Sequence, residues 1–275
     1  MEALKMDIRK MTIRLLVSTT FLLASQCIFA ASSCDINAII KQVWPDAQPT
    51  EQGVITPAEQ FIKTQNGSPF SAICRIWPAH PELTLAAVPL MEPEQRDHNH
   101  NADLELLVLD TATLEVKQRL HLPERMNDDA IYISDLAIDT ARWKIAPEQT
   151  AFGLRIQKTG SSRVNPISEE ALWLYTLDRG QLRVVLDGIV LKYSVGELDG
   201  NCAEEFTNII RTLAMGATKH HGFSDIKVSE KNVASTAWLD ENNECRSKDI
   251  PTQKIWTLQY DGKQYRVPAK LHPIQ

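Results

Sequence analysis

The sequence predicts a mainly β protein with minor helix (α+β), an antiparallel β-sandwich or partly open barrel carrying two short amphipathic helices and two disulfides. Three observations lead there. Short apolar runs and alternating apolar and polar residues recur through the middle of the chain, turn residues separate them, and four cysteines fall into two similarly spaced pairs after an apolar leader.

The leader comes first in the chain and sets the compartment. Arg14 precedes a mostly apolar run over residues 15–29, followed by Ala30, Ala31, Ser32 and Ser33. A basic start, a short greasy centre and small residues at the exit are what an export signal requires. Ser18, Thr19, Thr20, Ser25 and Gln26 interrupt the run, which leaves it short of the roughly 20 apolar residues that a membrane span needs. Residues 1–30 are therefore expected to be a cleaved signal peptide, cut between Ala30 and Ala31. Glu2 and Asp7 are out of place in a basic leader, so Met6 and Met11 compete with Met1 as the start. Cys27 is not expected to be lipidated, because Gln26 is bulkier than the small residue that usually stands before a lipidated cysteine.

Four of the 29 basic residues (Lys5, Arg9, Lys10, Arg14) and two of the 35 acidic ones (Glu2, Asp7) lie in that leader, leaving 25 against 33 and a net charge of −8. A nucleic-acid partner would call for a concentrated basic surface, so that class is excluded. No later stretch reaches membrane-spanning length, and no stable span is expected in the mature chain. The expected location is the periplasm.

Cys34, Cys74, Cys202 and Cys245 survive cleavage, and four cysteines allow three pairings. Two regularities choose between them. Cys34 stands before Ile36, Ile39, Ile40 and Val43, and Cys202 before Phe206, Ile209, Ile210 and Leu213, each set spaced as one stripe of an amphipathic helix. The second cysteine follows 40 or 43 residues later and in both cases precedes an arginine. The expected bridges are Cys34 with Cys74 and Cys202 with Cys245, each tying a helix start to a later strand or loop.

Between the cysteine blocks the chain reads as strand. Residues 104–110 form a nearly continuous apolar run, as a strand covered on both faces does, with residues 116–122 as its returning partner. Further strands are expected over 131–138, 151–158, 173–177 and 182–186, the last two joined by a turn at Asp178, Arg179 and Gly180. Trp256, Leu258 and Tyr260 share a strand face that runs into Asp261-Gly262, with Tyr265 and Val267 on the return. Trp173, Asp178, Gln181, Arg183 and Val184 recur at the same spacing as Trp256, Asp261, Gln264, Arg266 and Val267. In both sets Trp and Val read as core, and Arg and Gln as pointing to solvent. The prolines crowding residues 45–89 make long regular strands improbable there.

This divides the mature chain into a cysteine-bounded segment (31–95), a central β region (96–195) and a C-terminal helix plus β-hairpin (196–275), with 31–275 able to form one domain. The polar passage 91–101 is the most loop-like. Asp97, Asn99, Asn101 and Asp103 stand at alternate positions there, which lets oxygen ligands converge on Ca²⁺. An EF-hand would need glycine at Ala102 and glutamate at Val108, so that motif fails. His98 and His100, together with His220 and His221, offer imidazoles to Zn²⁺ or Cu²⁺. Glu197, Asp199, Asn201, Glu204 and Glu205 are read as the charged start of the second helix. Ser224 and Lys227 fit Ser-x-x-Lys without its companion motifs, and the serine-elbow, zinc-helix and phosphate-loop signatures do not occur.

No catalytic residues and no cofactor are therefore assigned. The expected role is a non-catalytic binding or interaction module of the bacterial cell envelope, whose partner is an envelope protein or polymer. The alternatives are a metal-binding protein or metal-dependent enzyme that uses the 97–103 loop, and an inhibitor or immunity partner of a secreted enzyme.

Overall fold

The computed structural model describes residues 34–92, 101–127 and 129–274. It contains two antiparallel sheets, one helix of two turns and both disulfides.

The helix α1, Ile36–Val43, begins where Asp35 accepts the N–H groups of Asn37 and Ala38 at 2.9 and 3.1 Å, satisfying donors that a helix start leaves unpaired. Its apolar stripe seats Ile39 and Ile40 on the first sheet, and the Cys34–Cys74 bond ties its start to that sheet.

The first sheet, sheet A, consists of β1 (Gln48–Pro49), β2 (Gly53–Ile55), β3 (Phe61–Lys63), β4 (Ile73–Trp77), β5 (His80–Met91), β6 (Asn101–Asp110) and β7 (Val116–Asn127). Its order is β1-β2-β3-β5-β6-β7, with β4 also paired to β5. β6 bears out the reading of residues 104–110. Leu104, Leu106 and Val108 face one core, Leu107 and Leu109 the other core beneath α1, and all five are essentially sealed from solvent. The proline-rich segment departs from expectation, because β5 is 12 residues long although Pro81 and Pro89 lie in it. Pro89 falls where β5 has left β4, at Ala87, and has not yet met β3, at Met91. A missing N–H costs least at such a gap.

The second sheet, sheet B, is a seven-stranded meander of β8 (Ile131–Ala146), β9 (Gln149–Gly160), β10 (Ile167–Asp178), β11 (Gln181–Leu198), β12 (Glu204–His220), β13 (Phe223–Leu239) and β14 (Cys245–Leu258). The turn between β10 and β11 has positive φ at both Arg179 (51°) and Gly180 (75°), as a two-residue hairpin requires. The passage from one sheet to the other falls between Asn127 and Ile131, so sheet A takes in the start of the central region and position 195 lies inside β11. Residues 33–275 form one unit.

The sheets pack face to face. Trp77, Leu85, Leu104, Leu106 and Met126 of sheet A meet Ile138, Phe152, Leu154, Trp173 and Tyr175 of sheet B. A further core forms where sheet B curls on itself, bringing Trp143 and Ile145 of β8 to Ile226, Val228, Leu258, Tyr260, Tyr265 and Leu271.

Four expectations are corrected here. Residues after Cys202 form β12, a strand of 17 residues, and not a second amphipathic helix. Ile209, Arg211, Leu213 and Met215 alternate along it, and the β-branched Thr207, Ile209, Ile210 and Thr212 suit a pleated surface better than a helix. The acidic cluster therefore starts no helix. Asp199 caps a turn through the N–H groups of Asn201, Cys202 and Ala203, while Glu197 and Glu205 oppose each other across β11 and β12. The C-terminal hairpin shrinks to one bridge, Tyr260 with Tyr265, because β14 ends at Leu258. Arg183 does not point freely to solvent either. It donates to Asp178, to the Tyr260 hydroxyl and to the Lys263 carbonyl, locking the two look-alike turns together.

Candidate binding cleft

At the C-terminal end of β7, a cleft of about 490 Å³ opens between residues 123–127, the face of sheet B and the C-terminal residues 272–274. Its floor follows from strand register. Lys158 lies directly across from Glu169, Ile156 from Ala171, and Leu154 from Trp173, so alternation puts Ile156, Lys158, Glu169, Ala171 and Trp173 on one face. Gly188, with φ of 81°, lets Pro273 and the Trp173 indole come closer than a side chain at that position would allow.

Glu169 is nearly sealed from solvent, and its two carboxylate oxygens accept the Ile274 N–H at 3.0 and 3.2 Å. The Lys158 ammonium reaches the Ile274 carbonyl at 3.4 Å. Arg125 lies over the Trp173 ring at 5.2 Å from its centre and approaches a single oxygen of Asp187 at 3.4 and 3.5 Å. A strong charge-assisted bond is about 2.7–2.9 Å long, so this guanidinium is loosely held. The Asn127 side-chain oxygen is buried and has no hydrogen-bond partner among the described residues. The Tyr175 hydroxyl is likewise buried and unpartnered, and burial pushes its pKa above the usual phenol range.

Burial also raises the pKa of Glu169, partly offset by the Ile274 N–H and by the positive charges of Lys158 and Arg211. A carboxylate with a raised folded-state pKa contributes stability that is present at acid pH and lost as pH climbs through the window above its ordinary 4.5. Glu169→Gln keeps an oxygen for the Ile274 N–H and removes the buried charge. The stability of this variant relative to the native chain should be most favourable at neutral pH and decline as the solution is acidified, in paired thermal melts. A difference that stays level across that range would contradict the assignment.

Of the metal-loop residues, Asp97, His98, Asn99 and His100 lie outside the described residues. Asn101 opens β6, and Asp103 further along it accepts the Glu124 N–H at 2.8 Å and pairs with His121 at 3.1 Å. His121 also contacts the buried Glu105, at 3.3 Å. His220 is held by Asp225 at 2.7 Å, and Thr218 donates to that same carboxylate. Among the described residues no group of three or more His, Cys, Asp or Glu side chains is placed to hold a metal ion. Ser224 lends its carbonyl to the Tyr265 hydroxyl, and Lys227 points out from β13. Cys34, Cys74, Cys202 and Cys245 form the two bridges in the expected pairing.

Sequence reasoning singled out none of the cleft's polar residues. Arg125, Asn127, Lys158, Glu169 and Asp187 share no local spacing, and the one faint signal was charge at strand ends flanked by apolar runs. Chemically the cleft offers recognition: two cations and an indole flank. No family model, curated protein or solved structure matches this chain.

Proposed function

We propose that this chain is an exported, non-catalytic binding protein of the bacterial cell envelope, and that it holds its partner, an envelope protein or polymer, in the cleft beside Trp173. The observation that carries this reading is the loosely held Arg125 on its indole in an open cleft. A cleft of this size lined by apolar side chains and a few convergent polar groups is the usual form of a ligand site. The leader and the two disulfides support an oxidising compartment. No helix among the described residues is long and apolar enough to cross a membrane.

Cell fractionation and cross-linking test the proposal. The chain should be recovered from the periplasmic fraction, oxidised and beginning at Ala31, and should cross-link to an envelope component. Arg125→Ala should reduce that cross-link about tenfold or more, the effect of losing one charge-assisted contact, with its melting temperature retained. Retention in the cytosol, or cross-linking indifferent to Arg125→Ala, would overturn it.

A further inference from the structure

We infer that the ligand of this cleft is an extended peptide that presents a carboxylate to Arg125. The inference rests on the binding role proposed above and names its ligand class. Two independent observations carry it, one about unmet hydrogen-bonding capacity and one about what the cleft already holds.

Arg125 has five N–H donors in a planar fork suited to a carboxylate, yet among the described residues they meet only one oxygen of the half-exposed Asp187, at 3.4 and 3.5 Å. Lys158 has three donors and reaches one carbonyl at 3.4 Å. Anionic oxygens would fill both deficits, and a peptide with a carboxylate supplies them.

The cleft also grips the backbone of its own chain. The cross-strand pair Lys158 and Glu169 holds Ile274 by both of its backbone groups, the carboxylate accepting its N–H and the ammonium donating to its carbonyl. The cleft remains open with that segment seated. Opposite it, β7 is the last strand of sheet A, so among the described residues no strand lies beside residues 123–127 on one edge. An extended segment entering between the two meets a strand edge on one side and a clamped peptide on the other, which is the geometry of strand addition with a carboxylate end-stop. The carboxylate could be a chain terminus or an acidic side chain, and the test separates them.

Titration of the full mature chain, followed by calorimetry and by the Trp173 indole N–H resonance, would use three probes: tri-alanine, tri-alanine amide, and acetyl-Ala-Glu-Ala amide. At least one of the two carboxylate-bearing peptides should bind and move the indole signal, about tenfold or more tighter than tri-alanine amide. Preference for tri-alanine identifies a chain terminus, and preference for the capped peptide an acidic side chain. Arg125→Ala should abolish the preference, and Asp187→Ala, which frees the guanidinium, should strengthen it. The inference fails if neither carboxylate-bearing peptide moves the indole signal, if the amide binds equally well, or if Asp187→Ala weakens binding. If peptides fail while the envelope cross-link stays sensitive to Arg125→Ala, the ligand class is wrong and the binding role stands; if both fail, both readings fall.

Discussion

Replacing Cys34 and Cys74 together by serine is expected to cost about 4 kcal/mol, since a loop of some 40 residues is released in the unfolded chain. The loss should exceed a typical point substitution because the bond holds a whole layer. α1 is only 8 residues long and cannot persist alone, and Ile39 and Ile40 stay on the outer face of sheet A only while its start is tethered to β4. Urea unfolding should show a lower midpoint, and the protection of Leu107 and Leu109 amides should fall along with it. The second bridge, Cys202 to Cys245, closes a similar loop but anchors the exposed start of β14, so the effect of opening it on the two cores should be smaller. Equal midpoints for the native chain and the Cys34/Cys74 variant would refute the structural role of the bond.

Glu230→Ala should destabilise the chain by about 3–5 kcal/mol, the penalty for stranding a buried charge. Arg211 and Glu230 face each other across β12 and β13 at 2.8 Å, and their side chains are only 5 and 7 % exposed. The guanidinium also donates to the Val190 carbonyl, so it cannot turn to water without giving up a second bond. The double replacement Arg211→Met with Glu230→Leu should recover most of the loss, because the desolvation cost of both ions disappears with them. Denaturation midpoints of the single and double variants give the comparison. If the single variant matched the native chain, the pair would have to be solvated.

Elements decided by neighbours in the chain were legible. Leu104, Leu106, Leu107, Val108 and Leu109 announced a strand buried on both faces, and the Arg179-Gly180 turn announced its hairpin through the need for positive φ. The cysteine pairing was readable from spacing because each bridge closes a loop inside its own end of the chain. The second helix was misread at Phe206, Ile209, Ile210 and Leu213, whose spacing fits a helical stripe as well as a strand with apolar residues on both faces. Choosing between those periods needs the flanking strands β11 and β13, which pair with residues 204–210 of β12 from both sides.

By itself the sequence determined the mainly β character, the two bridges and most strands between 104 and 186, since hydrophobic alternation, turn conformation and sulfur spacing all act over short stretches of chain. Tertiary structure alone decided the cleft. Arg125 belongs to sheet A, Lys158, Glu169, Trp173 and Asp187 to sheet B, and Ile274 to neither, so only the packing of the two sheets and the return of the C-terminal segment bring them together. The burial that raises the pKa of Glu169 and the missing partner of Asn127 arise from that packing, and distances between distant segments are set by the core and not by any pattern along the chain.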